Sequence, residues 1–365
     1  MTNPQVIAAP ILFTAPSSTN GAFTFSNNST TASATLSFTG AITANTSASR
    51  PGRILLSGSN TGDNIISSNI NSPSFGQDVS LIVKSGTGTW ILSGSNTFSG
   101  TGMTSATAGS GIQVTAGILS VRNNNALGSS ATAGQLQVRL NGGILDLANA
   151  ITLDNGVNLN LNTGGTIRST GSNTINSRVT LTTVAASSAT LSTSASTDVL
   201  TLGNAANDLT GGAADTVLNA DGPGTIALAQ SSNYAGGWSL NTGTVQLGNN
   251  SALGTAASVG VTFGPSSTAT LRLNGFSPTI SRLSTNATTG TPVIVNGNSG
   301  TSTLTVNTSV ANTFAGALND GSSGVLALTK SGSGSLTLSG TNGYTGNTTI
   351  SAGTLAVNGS AATPA

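Results

Sequence analysis

The sequence predicts an all-β chain of short, stacked parallel strands, a β-solenoid. Three observations carry that prediction. Thr, Val and Ile are plentiful and favour a pleated surface, whereas strong helix formers are scarce, with two Lys, two Met and no Glu. Apolar and small polar residues alternate with period two, as in Val157-Asn158-Leu159-Asn160-Leu161 and Thr303-Leu304-Thr305-Val306. One module recurs along the chain at variable spacing, which marks a repeat architecture and not a string of unrelated domains.

Composition bounds the chemistry. The chain has 365 residues, and only 5% are charged, against about 25% in an ordinary soluble domain. Ser, Thr, Asn and Gly fill more than half of it, and the net charge is +1. Hydrophobic residues still make 36% and mean hydropathy is +0.15, so this is not the apolar-poor, charge-rich signature of disorder. His and Cys are absent, which removes imidazole bases, thiolate nucleophiles, disulfides, zinc fingers and iron–sulfur sites. No cofactor is expected. Too few cations are present for a basic patch, so nucleic acid is not an expected partner. No transmembrane segment is expected, because the longest apolar stretch, residues 6–13, is broken by Pro10. The start Met1-Thr2-Asn3-Pro4-Gln5 lacks the basic region of a signal peptide, and this composition fits an extracellular or cell-surface protein whose leader is not in the chain.

The module reads as follows. Its first copy is Lys84-Ser85-Gly86-Thr87-Gly88-Thr89-Trp90-Ile91-Leu92-Ser93-Gly94-Ser95-Asn96-Thr97-Phe98-Ser99-Gly100. Its last, from Lys330 to Gly346, aligns without a gap and places Gly332 and Gly334 where the first has Gly86 and Gly88. The middle copy is degenerate and keeps Gly222, Gly224 and, further on, Tyr234. An aromatic stands twelve residues after the first Gly in each: Phe98, Tyr234 and Tyr344. A second phrase closes each module: Ala116-Gly117-Ile118-Leu119, Thr242-Gly243-Thr244-Val245 and Ala352-Gly353-Thr354-Leu355. Modules therefore lie near residues 84–128, 222–254 and 328–358.

Asn-Gly pairs such as Asn141-Gly142, Asn274-Gly275 and Asn358-Gly359 punctuate the strands and tolerate positive φ. Hairpins joined by such turns are one arrangement; parallel coils with turns at the corners are the other. Very short strands, small polar outward positions and modules with no closing pattern favour the coils, which bury one apolar column by stacking. Residues 15–365 are read as one continuous solenoid, and residues 1–14 as an extended segment that caps it or is donated to a neighbour.

The string Leu328-Thr329-Lys330-Ser331-Gly332-Ser333-Gly334-Ser335-Leu336-Thr337-Leu338-Ser339-Gly340, continuing through Tyr344 to Leu355, resembles the passenger-associated repeat of bacterial autotransporters, also called the autotransporter-associated β-strand repeat. The Lys84 copy matches nearly as well; the middle copy departs at the Lys, near Asp221-Gly222. The resemblance implies a right-handed parallel β-helix outside the cell, of the kind found in passengers, adhesins and large surface proteins. Such chains typically continue into a membrane β-barrel. The last residues here carry no amphipathic barrel strands, so the expectation is a fragment or a protein that uses the repeat without a barrel.

The repeat glycines Gly86, Gly88, Gly222, Gly224, Gly332 and Gly334 read as corner residues, since no helix follows as a phosphate loop requires. Lys84 and Lys330, at equivalent positions, read as structural groups capping corner carbonyls. Phe98, Tyr234 and Tyr344 read as corner packing. Asp146, Asp154, Arg168 and Arg178 are the residues from which a polysaccharide-degrading β-helix site would have to be built; solvated turns are the plainer reading. The segment with Val6, Ile7, Ile11, Leu12 and Phe13 is the candidate assembly element, adding to the open end of the next subunit. The expected function is a non-enzymatic extracellular structural protein that associates head to tail into surface or matrix fibres. The alternative is an adhesin passenger with a host or matrix surface ligand, and the remote one is a polysaccharide-degrading enzyme.

Overall fold

The computed structural model describes residues 2–14, 22–45, 53–71, 80–97, 111–128, 136–154, 156–255 and 258–359. Among them there is no helix, and the strands run from two residues, as Ile70–Asn71, to eight, as Gly300–Asn307. The pairings are parallel, and consecutive strands fall in different sheets, so the chain winds as the stacked coils of a β-solenoid. Among the described residues the hairpin arrangement is thereby excluded for the Asn-Gly pairs that join two strands. Asn141-Gly142, with Gly142 at φ +97°, joins Leu136–Leu140 to Ile144–Ala148, and these two strands lie in separate sheets. Positive φ at such a pair can turn a corner as well as close a hairpin.

The chain divides into two compact units, Met1–Thr180 and Leu181–Ala365. In the first, one sheet stacks Gln5–Ile7, Leu36–Phe38, Asn64–Ile66, Thr89–Leu92, Ile118–Val121, Ile144–Ala148 and Thr166–Thr170 in that order. A second stacks Ala22–Ser26, Arg53–Ser57, Ser80–Lys84, Gly111–Val114, Leu136–Leu140 and Val157–Leu161. Period-two alternation sends every other side chain inward. Register then aligns Ile54, Ile82, Ile112, Val138 and Leu159 into one column, each at most 2% exposed. Each such residue contributes about 1.5–3 kcal/mol by leaving water. Aromatics fill the first coils: Phe13 stacks on Phe23 at 3.9 Å, and Phe25 packs against Phe38 at 4.5 Å and Trp90 at 6.3 Å.

The segment expected to cap or be donated forms strands of the first coil. Gln5–Ile7 pairs with Leu36–Phe38, and Ile11–Thr14 with Ile42–Asn45. Phe13 turns inward at 7% exposure, while Val6 and Leu12 face out at 66% and 63%.

In the second unit the corresponding column is Leu200, Ile226, Val245, Leu271, Ile294 and Leu318. The C-terminal part of this unit adds two small sheets. One holds Thr279–Ile280, Gly300–Asn307, Gly324–Ser331 and Thr348–Ile350; the other holds Asn312–Phe314, Ser335–Leu338 and Thr354–Val357.

Candidate functional site

The recurring feature is a coil corner. Strand Ser80–Lys84 turns Ile82 and Lys84 inward, and both are fully buried. Lys84 stands between Leu56 and Val114 of the neighbouring coils, so its ammonium cannot reach solvent along the strand. It curls onto the corner that follows. Nζ donates to the carbonyls of Ser85 at 2.9 Å, Gly86 at 2.8 Å and Ala116 at 3.0 Å. The first two belong to its own corner and the third to the corner of the next coil. An ammonium has three protons, so its donors are satisfied without a carboxylate. Burial of that charge pushes the Lys84 pKa down to about 8.

Lys330 repeats the arrangement. It lies between Val306 and Ile350, is fully buried, and donates to Ser331 at 2.6 Å, Gly332 at 2.9 Å and Ala352 at 3.2 Å. Burial lowers its pKa as well. The glycine of the second phrase is required at both corners: a Cβ on Gly117 would stand 2.7 Å from Lys84 Nζ, and one on Gly353 2.8 Å from Lys330 Nζ. Gly86 and Gly332, at φ +72° and +75°, make the turn that aims their carbonyls at the ammonium.

Register resolves the degenerate middle copy. Ala220 pairs with Leu240 as Lys84 pairs with Val114, so Ala220 holds the Lys position, one residue before the Asp221-Gly222 pair. Here the corner is tied from its side chains: Asp221 Oδ1 accepts from Gly222 N at 2.9 Å and from Thr242 Oγ1 of the next coil at 2.8 Å. Gly222 keeps a positive φ of +82°, and Gly224 is packed against backbone carbonyls of the preceding coil, as Gly88 and Gly334 are.

Of the three aromatics, Tyr234 is fully buried; its hydroxyl lies 3.1 Å from Thr216 O and 2.9 Å from Gly237 O, and its ring meets Trp238 edge-on. Burial pushes its phenol pKa up. Tyr344 is half-buried with its hydroxyl 2.7 Å from Thr348 Oγ1. Phe98 lies outside the described residues.

A second recurring group went unread in the sequence. Asn96, 2% exposed, accepts from Ile70 N at 2.7 Å and donates to Ala126 O at 2.5 Å, bridging the coils on either side. Asn342, twelve residues after Lys330 as Asn96 is after Lys84, accepts from Leu318 N and donates to Gly340 O. In the middle copy Ser232 stands there and donates to Leu209 O at 2.8 Å. The signal was the shared phrase Ser-Gly-x-Asn, at 93–96 and 339–342.

The carboxylates hold structure. Asp146, 5% exposed, receives Arg168 Nε at 2.8 Å, Thr170 Oγ1 at 2.8 Å and Ser120 Oγ at 2.9 Å. Asp154 and Arg178 are exposed and sit at a different corner, where Ser177 donates to the Asp154 carbonyl. Asp198 and Asp208 each accept two backbone N–H groups of their own turns. Among the described residues no three His, Cys, Asp or Glu side chains gather as a metal site would need.

The comparisons fall on the same corners. The family model of the passenger-associated-transport-repeat matches residues 82–121, 218–247 and 328–357, which hold the Lys84, Ala220 and Lys330 positions. A curated relative, the adhesin BmaC autotransporter of Brucella suis biovar 1 (strain 1330), is 32% identical over 141 residues. That alignment covers 38% of this chain and 4% of the relative, so the chain spans a small part of that protein. No solved structure matches. The chain thus carries the passenger-associated transport repeat three times, and in this it resembles the repeat proteins of bacterial autotransporter passengers.

Proposed function

We propose that this chain is part of an autotransporter passenger, displayed at or released from the cell surface, and that it acts there as a non-catalytic adhesive solenoid. The observation that carries the reading is the repeat itself, matched three times in this chain, and the partial likeness to an adhesin autotransporter supports it. The chemistry supports it. A coil held by ammonium–carbonyl clasps, buried amides and apolar columns offers wide uncharged faces and few groups that titrate. Asp146 is buried and held by Arg168, Thr170 and Ser120, so three of its acceptor sites are engaged within the coils. The test is display of residues 1–365 on a non-adherent bacterium, ahead of a carrier barrel. Adherence to cultured cells or matrix-coated surfaces well above the barrel-only control is expected; adherence no greater than the control overturns the reading.

Head-to-tail self-association is a second reading. It is favoured by the exposed Val6 and Leu12, on strands that pair through one edge among the described residues.

A further inference from the structure

The sheet of Thr279–Ile280, Gly300–Asn307, Gly324–Ser331 and Thr348–Ile350 carries a groove of about 410 Å³ on its outer face. Register explains it. On the middle strand Val325 and Ala327 face outward opposite Thr301 and Thr303, and Ala327 is the smallest side chain of the row. Its outward methyl is only 8% exposed, so it forms a recessed floor. Thr301, Thr303, Thr329, Thr349 and Asn347 rise around it. The volume is within the range of small-molecule sites.

On some outward ladders the side chains bond to one another, as Asn160 to Gln137 at 2.7 Å, Asn162 to Asn141 at 2.5 Å and Thr262 with Ser284 at 3.1 Å, whereas threonine rows such as Thr225, Thr244 and Thr270 leave their hydroxyls open. The hydroxyls of Thr301, Thr303, Thr329 and Thr349 and the side-chain amide of Asn347 have no hydrogen-bond partner among the described residues. Five donor–acceptor groups therefore surround a methyl-covered floor.

That lining selects a ligand class. No charged side chain takes part, so an ionic ligand would lose water with no opposite charge to meet it. A purely aliphatic ligand would strip water from five polar groups and return no hydrogen bonds. An extended peptide adds to the edge of a sheet and does not lie across its face. A neutral sugar presents hydroxyls that both donate and accept, and an apolar C–H face that matches Val325 and Ala327. We propose that this groove binds neutral oligosaccharide. The proposal rests on the adhesive reading and names what this face would adhere to.

The test uses the full chain. It is first applied to an array of immobilised neutral oligosaccharides of hexose and N-acetylhexosamine, with sialylated and sulfated chains alongside. The strongest neutral probe is then titrated calorimetrically against the wild type, Thr303→Val/Thr329→Val and Ala327→Trp. Valine keeps the branched shape and β preference while removing the hydroxyls, and thermal melts check that each variant folds. The expected result is neutral-probe binding that weakens about tenfold or more in both variants, as loss of one or two net hydrogen bonds requires. Absence of neutral binding, binding of charged probes alone, or affinity unchanged by both substitutions overturns the proposal. Displayed on cells, a wild type that adheres equally well with Ala327→Trp overturns the groove and leaves the adhesive reading standing. A wild type that binds sugar but does not adhere overturns the adhesive reading and leaves the groove.

Discussion

Lys84 shows what a single residue does in this fold and what it costs. Its ammonium is buried with no carboxylate partner among the described residues, and burial lowers its pKa from 10.5 to about 8. Between those values the folded chain holds fewer protons than the unfolded one, so stability rises with pH across that window and carries the full penalty below about pH 8. The penalty is at most about 3 kcal/mol. Lys84→Met removes it but strands the carbonyls of Ser85, Gly86 and Ala116, at about 1–3 kcal/mol for each group left unpaired. The second effect is the larger. Three carbonyls cost about 3–9 kcal/mol against a removed penalty of about 3, so Lys84→Met should lower stability at pH 7 by up to about 6 kcal/mol and also flatten the alkaline rise, both read from urea melts at pH 7 and pH 10. An alkaline rise of the same size in the variant would mean that Lys84 does not titrate in this range. The equivalence of Lys84 and Lys330 was legible because the two phrases align without a gap. Their third carbonyl was not, because Ala116 and Ala352 meet the ammonium only through the register of the next coil. Asn96 and Asn342 were hidden differently: in a chain so rich in Asn, one recurring amide does not stand out.

At the scale of the element, period-two alternation announced the strands but left their pairing open. An Asn-Gly turn with positive φ serves a hairpin and a coil corner alike, and only the register of Leu136–Leu140 and Ile144–Ala148 with different sheets decides between them. The degenerate corner shows how far the element tolerates change. Ala220 replaces the Lys, and its neighbour in register is Leu240, where the clasped corners have the different side chains Val114 and Ile350. The clasp can be rebuilt there. Ala220→Lys alone should destabilise the second unit, since the long side chain meets Leu240 in a filled core. Combined with Leu240→Val, it should recover, because the ammonium then reaches the carbonyls of Asp221, Gly222 and Thr242 in the Lys84 geometry. A double-mutant cycle on melting free energies reads the coupling, with about 1–3 kcal/mol favouring the pair. Additive effects would mean that the corner carbonyls are oriented differently when Asp221 holds Thr242.

At the scale of the whole molecule, the chemistry was legible mainly as exclusion. Lack of His, Cys and Glu removes the chemistries those side chains carry and is plain in the sequence, whereas the groove over Ala327 depends on which residues of three strands share a face. The head-to-tail reading belongs to this scale too. Among the described residues, strands Gln5–Ile7 and Ile11–Thr14 each pair along one edge, and parallel edges with exposed Val6 and Leu12 beside them are templates for another strand. Both side chains point away from the first coil's own core, so Val6→Asp/Leu12→Asp leaves Phe13 stacked on Phe23 and the fold intact. Two carboxylates there would repel a second copy bearing the same pair. Sedimentation velocity over a range of concentrations should show the wild type forming larger species that the double variant does not. Equal sedimentation of the two, with both folded, would exclude this edge as the contact, and any binding at the groove over Ala327 would then be the work of a single chain.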